Sequence, residues 1–202
     1  MARDSYHHGN LRQALVNSTV RLIEEKGPQG FTLAEAARAV GVSAAAPYRH
    51  FTGRDELLEE IARQGFDEFA DRLEAALKLG RTPLSAFLGM GQAYLGFAAE
   101  RRGYYTAMFE SGISIAGNAA LAQAADRARG TLVRAAETLL QRIPEGRRPP
   151  ASMAADHIWA LSHGVVELFS RGKPGGRSPI SPSDMLESGT LIYLRGLGVI
   201  TE

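Results

Sequence analysis

The side chains with most chemical capacity in this sequence are five histidines, and their spacing speaks against catalysis and metal binding. His7 and His8 are adjacent in a polar N-terminal stretch, where no helix would bring both to one face. With Arg3 and Arg12 they read as a solvated arm able to reach a minor groove. His157 follows Asp156 and His163 comes later on the same helical pattern, without the four-residue pairing of zinc proteases. A serine nucleophile would need a Gly-x-Ser-x-Gly elbow, which the chain lacks. Gly172-Lys173-Pro174-Gly175-Gly176 lacks the spacing of a phosphate-binding loop and follows a helical rather than a strand pattern. With no cysteine, disulfide frameworks, thiolate zinc sites, iron–sulfur clusters and thiol nucleophiles are excluded. The chemistry left is recognition: the sequence reads as a non-enzyme with no metal and no cofactor.

The elements that would present such recognition are helices. The chain has 202 residues, 45% of them apolar and 22% charged, enough to fold around a sizeable core. Apolar residues recur at helical spacing and no alternating stretch is long enough for a sheet, so the fold class is all-α. Helices are expected at about residues 10–26, 33–40, 43–50, 54–79, 83–100, 104–109, 118–142, 152–171 and 182–197. Several have start signals: Thr32-x-x-Glu35 is a capping box, Thr52 precedes a second such pattern, and Thr82-Pro83 and Ser181-Pro182 pair a cap with a first-turn proline. Arg101-Arg102-Gly103 reads as the positively charged, glycine-terminated end of a helix. Residues 172–182 read as a flexible connector. The N-terminus lacks a signal peptide's apolar run, and no stretch approaches the roughly 18 apolar residues of a membrane span, so a soluble, cytoplasmic protein without membrane contact is expected.

Function concentrates in residues 1–54, which carry seven Lys/Arg against four Asp/Glu although the whole chain is only +1. There the short helices 33–40 and 43–50, joined at Gly41-Val42, fit a helix-turn-helix. Ala37 and Val42 suit a tight crossing, Ser43 can cap the second helix, and Ala44, Ala45 and Ala46 keep that helix slim enough for a major groove about 12 Å wide. An ordinary helical hairpin is the competing reading.

Phe31-Thr32-Leu33 through Gly41-Val42-Ser43, then Tyr48-Arg49-His50-Phe51 and Arg54-Asp55-Glu56-Leu57-Leu58, resemble the DNA-binding domain of TetR-type transcriptional regulators. Trp159-Ala160-Leu161-Ser162-His163-Gly164 resembles the tryptophan, histidine and glycine signature of one C-terminal subgroup of that family. The resemblance implies a homodimeric regulator, with a ligand pocket in the helices after the DNA-binding domain and a dimer interface made largely by the last two. It also implies phosphate contacts at Thr32, Tyr48, His50 and Arg54, all chemically suited to a phosphate backbone. Base reading then falls to Ser43, Ala44, Ala45 and Arg49, a donor-poor set favouring thymine methyls and DNA shape. Pro47 departs from the aliphatic residue common in the family; it deletes at most the first intrahelical bond and leaves the helix intact.

The expected organisation is a helix-turn-helix DNA-binding domain over residues 1–53 and an effector-binding and dimerisation domain over residues 54–202. Phe66, Phe69, Met90, Tyr94, Phe97, Tyr105, Met108, Phe109, Trp159 and His163 are candidates to line a pocket for an apolar, small-molecule effector. Ile158, Leu161, Val165, Gly189, Ile192 and Gly196 are candidates for the dimer seam. The expectation is a ligand-responsive repressor that binds a palindromic double-stranded DNA operator and is released by a small molecule. The alternative is a non-catalytic helical ligand-binding protein with little DNA affinity.

Overall fold

The computed structural model describes residues 11–170 and 180–200, without the side chain of Ser170. The arm with His7 and His8 and the 172–176 glycine run lie outside them. In chain order the helices are α1 (Leu11–Lys26), α2 (Leu33–Ala39), α3 (Arg54–Leu79), α4 (Pro83–Glu100), α5 (Arg102–Phe109), α6 (Ala119–Leu140), α7 (Ala151–Val165) and α8 (Pro182–Gly196). Short 3₁₀ turns lie at Ala46–Arg49, Ile115–Gly117 and Glu145–Arg147, and a π-turn at Val166–Ser170 follows α7. The described residues are all-helical.

Two compact units emerge. One comprises Met1–Phe66 and Arg101–Gln123, the other Asp67–Glu100 and Ala124–Glu202. In the first, α1 buries Leu15, Val16, Thr19, Val20 and Ile23, with Leu11 and Leu22 at the margins of that face. The Thr32 cap of α2 is complete: the Thr32 hydroxyl accepts from Glu35 N–H at 3.2 Å and the Glu35 carboxylate accepts from Thr32 N–H at 2.9 Å. A hydrogen bond from Lys26, then those from Thr32, hold the Glu35 carboxyl below the usual range. At the start of α3, Glu56 accepts from Thr52 N–H (2.6 Å) and hydroxyl (2.8 Å).

Three local expectations are corrected. The 43–50 segment is not an α-helix capped by Ser43: only Ala46–Arg49 is helical, as a 3₁₀ turn whose N-cap, Ala45, makes no side-chain cap bond. Pro47, buried within this turn, cannot donate to an α-ladder, so the segment closes with i→i+3 bonds such as His50 N–H to Pro47 C=O at 2.9 Å. Arg102-Gly103 is not the end of a helix but opens α5, which follows α4 across Arg101 alone. Gly103 is there for close approach: a Cβ on it would sit 2.5 Å from the Val20 carbonyl oxygen of α1. Likewise α7 ends at Val165, short of the expected residue 171, because the ladder changes to π spacing at Val166.

Glu60 on α3 joins α1 to α3. Its carboxylate accepts from Arg12 at 2.9 Å, Arg63 at 2.7 Å and Gln64 at 2.7 Å while the side chain is only 9% exposed. Burial pushes its pKa up, but the bonds from Arg63, Arg12 and Gln64 outweigh burial and bring it from 4.5 to about 2. A lowered native pKa stabilises the fold above the unfolded value, and this contribution fades as pH falls from 4.5 towards 2. Glu60→Gln is therefore expected to cost about 1–3 kcal/mol in urea unfolding at pH 7. Its gap to the parent should narrow in the same measurement below pH 4.5 and close only as pH falls through about 2. A gap independent of pH would show that the charge is not what matters.

Candidate nucleic-acid interface and effector core

Gly41, at φ +77°, reverses the chain after α2, and Val42 N–H reaches back to the Ala37 carbonyl at 3.0 Å. The reversal and the 3₁₀ turn present Ser43, Ala44, Ala45, Tyr48 and Arg49 on an exposed edge, with His50 half-buried at its end and Thr32 exposed at the start of α2. Tyr48 is 62% exposed, unusual for an aromatic with nothing to cover it. Tyr48, Arg49 and His50 make no side-chain hydrogen bond or ion pair within the described residues, so their polar groups remain available.

Arg54 is used differently. One terminal nitrogen donates to the Pro28 carbonyl and, at 2.7 Å, to Gln29 Oε1; the other lies 3.3 Å from Asp55, and the guanidinium sits 5.2 Å above the Phe31 ring. In the DNA-free chain it braces the turn before α2, and a phosphate would have to compete with those partners. Arg12, read as part of the arm, pairs with Glu60 and lies 4.9 Å from the centre of the Phe51 ring. The Thr32 hydroxyl also has an internal partner, donating to Glu35 Oε2 at 3.1 Å.

The ten candidate effector residues fall into two clusters, one in each compact unit. Phe66, Tyr105, Met108 and Phe109 belong to the first, with Phe109 edge-on to Phe66 (centroids 5.6 Å) and tilted against Tyr105 (4.8 Å). Gly65 makes room for Met108, whose sulfur would lie 2.7 Å from a Cβ there. Phe69, Met90, Tyr94, Phe97, Trp159 and His163 belong to the second. Phe69 is edge-on to Tyr94 (5.1 Å) and Trp159 (6.0 Å), and the Tyr94 hydroxyl is 3.2 Å from His163 Nδ1. Phe69, Met90, Tyr94 and Phe97 are buried, whereas Trp159 and His163 are only partly covered. The second cluster thus combines apolar side chains and a buried phenol with an indole and an imidazole that are partly exposed.

Residues 15–61 match the family described as bacterial regulatory proteins, tetR family, and residues 87–190 match the tetracyclin repressor-like C-terminal domain. The chain belongs to the TetR family. Among curated relatives, the HTH-type transcriptional regulator BetI of Rhizobium meliloti is 28% identical over 161 residues, covering 78% of this chain and 73% of that protein. Among solved structures, a protein of unknown function from Rhodococcus sp. RHA1 is 26% identical with a TM-score of 0.81, covering 96% of this chain and 98% of that one. AibR, solved with isovaleryl coenzyme A and operator DNA, shares the fold at a TM-score of 0.68 and 18% identity, covering 90% of this chain and 97% of that one.

This TetR-family chain is a transcriptional regulator of the ligand-responsive, DNA-binding kind. No helix among its described residues is long and apolar enough to cross a membrane, and no cluster of three metal-ligating side chains occurs among them. Of the residues read as dimer seam, Ile158 and Val165 are buried within the chain itself, and Leu161 packs on Gly189, where a Cβ would lie 3.0 Å from a Leu161 methyl. Ile192 and Gly196 instead face outward, Ile192 with 67% of its surface exposed. Leu168, at 76%, is a further exposed apolar side chain of the same unit, turned out where the π-turn interrupts the helical register. Sequence reading missed it because helical periodicity, carried through residue 171, puts Leu168 on the buried stripe.

Proposed function

We propose that this regulator binds a palindromic operator as a homodimer in the cytoplasm and represses until a small molecule releases it. The observation that carries the reading is the exposed edge of Ser43, Ala44, Ala45, Tyr48 and Arg49, whose polar side chains have no partner among the described residues. A helical protein that only bound ligand would have no reason to keep such an edge uncovered. Tyr48, Arg49 and His50 are assigned to phosphate and base contacts, Ser43, Ala44 and Ala45 to the groove floor, and Thr32 and Arg54 to phosphates reached when DNA displaces their present partners. The functional division is residues 1–53 for DNA and residues 54–202 for effector and dimer. Trp159, His163 and Gly164 support assigning the C-terminal half to the tryptophan-histidine-glycine subgroup.

The deciding experiment selects bound fragments from random DNA with the full chain. Inverted repeats are expected, since two heads related by a two-fold axis read two related half-sites. Ala45→Glu, which sets a carboxylate against the groove floor, should abolish retention of the selected fragment in gel shifts. Arg49→Ala should lower the slope of log affinity against log salt by roughly 0.9 for each phosphate that is no longer neutralised. Operator binding undiminished in Ala45→Glu would remove this edge from the interface.

The effector is assigned to the Phe69–Tyr94–Trp159–His163 cluster, with AibR as a structural neighbour that holds both a ligand and an operator. A ligand that releases DNA must favour the released state, and a coupling of about 1–3 kcal/mol changes DNA affinity roughly 5- to 150-fold. Such a ligand is expected to change the emission of Trp159, the one tryptophan, and to bind less tightly to His163→Ala while ligand-free operator binding persists. A releasing ligand that does neither would place the effector elsewhere.

A further inference from the structure

A cleft lies wholly within the first compact unit. It has a volume of about 340 Å³ and lies between Gln29 in the turn before α2, Arg54, Asp55 and Glu59 on α3, and the corner at residues 111–114. Its size is at the lower end of the range for small-molecule sites, about 300–1,000 Å³. Which ligand it fits follows from the hydrogen-bonding capacity its walls leave unused.

Most of the wall's side-chain donors are turned to the protein itself. The Arg54 terminal nitrogens serve Pro28, Gln29 and Asp55, and its Nε is buried without a partner, out of a ligand's reach. The Gln29 amide donates to the Ser111 carbonyl at 2.9 Å while its oxygen accepts from Arg54. The Ser111 hydroxyl donates to the Ala107 carbonyl at 2.6 Å. Acceptors remain: Glu59 gives Oε2 to Asn118 at 2.7 Å and keeps Oε1, and Asp55 gives Oδ1 to Arg54 and keeps Oδ2. Two carboxylates against one guanidinium leave the lining negative, and Ile113 supplies one apolar side chain.

We infer that this cleft binds a small organic amine in its ammonium form, the N–H donors on the Glu59 and Asp55 carboxylates and the alkyl stem against Ile113. A primary ammonium offers three donors and no acceptor, matching the two carboxylate oxygens left unused. An anion would meet the carboxylates. A quaternary ammonium brings no N–H, and no aromatic ring lines the cleft to hold it by its face. The site is separate from the aromatic cluster and independent of the effector assignment.

The test is calorimetric titration of the full chain with 1,4-diaminobutane at neutral pH and low salt, beside 1,4-butanediol and tetramethylammonium. Saturable binding of one diamine per chain is expected, with both control compounds at least about 10-fold weaker. Glu59→Gln should weaken the diamine by about 10-fold or more, and Glu187→Gln, on an exposed acid of α8, should not. Asp55→Asn, on a side chain 80% exposed, repeats the reading without risk to the fold should Glu59→Gln melt early. The proposal is overturned by absence of diamine binding, by tetramethylammonium binding equally well, or by undiminished binding to either cleft variant.

Discussion

Ile192→Glu is expected to turn the protein into a folded monomer that no longer holds its operator. Leu186, Thr190 and Leu194 form the buried face of α8, and Ile192 lies two positions from both Thr190 and Leu194, about 200° round the helix. Its 67% exposure means that glutamate there costs the isolated chain little. In a two-fold dimer with α8 at the seam, however, the substitution desolvates a carboxylate and sets it near its own symmetry mate. Dimer dissociation should rise by about 100-fold or more, and operator affinity should fall by a similar factor as the second head ceases to be tethered. Sedimentation velocity reads the first effect, gel shifts the second, and an unchanged melting temperature separates both from misfolding. A variant that sediments as a full dimer would move the seam off this face.

Gly103→Ala is expected to be strongly destabilising, and Gly96→Ala, seven residues earlier, to be stabilising. A Cβ at Gly103 would lie 2.5 Å from the Val20 carbonyl oxygen and 2.7 Å from Val20 Cγ1. The Gly103 N–H also donates to Glu24 of α1 at 3.0 Å, so α5 cannot back away without breaking that bond. Overpacking against backbone should cost about 3 kcal/mol, a melting decrease of roughly 10 °C for a chain of this size. At Gly96 in α4 the nearest atom to a new Cβ is a Glu100 carboxylate oxygen at 3.8 Å, an ordinary van der Waals distance. There alanine should add up to about 1 kcal/mol by helix propensity alone. Thermal melts of the pair in one buffer check both; a Gly103→Ala chain as stable as the parent would mean that α1 and α5 do not approach this closely.

What the sequence determined by itself is whatever is settled within about four residues of chain. The all-helical class, the caps at Thr32, Thr82 and Ser181, and the left-handed reversal at Gly41 were all legible, because each rests on a hydroxyl, carboxylate or glycine beside the backbone it serves. The resemblance of residues 31–58 to a TetR DNA-binding domain is of the same local kind. Tertiary structure decided the rest. Pro47 was readable as a perturbation, but the 3₁₀ closure goes with its burial inside the unit. Gly103 looked like a helix end because its partner, Val20, is remote in sequence. Periodicity marks an aromatic as inward-facing without saying which interior it joins, so ten pocket candidates divided between two cores. The cleft's polar wall went unseen because the Gln29–Ser111 and Asn118–Glu59 bonds join residues 82 and 59 positions apart, pairings that exist only once the helices have packed.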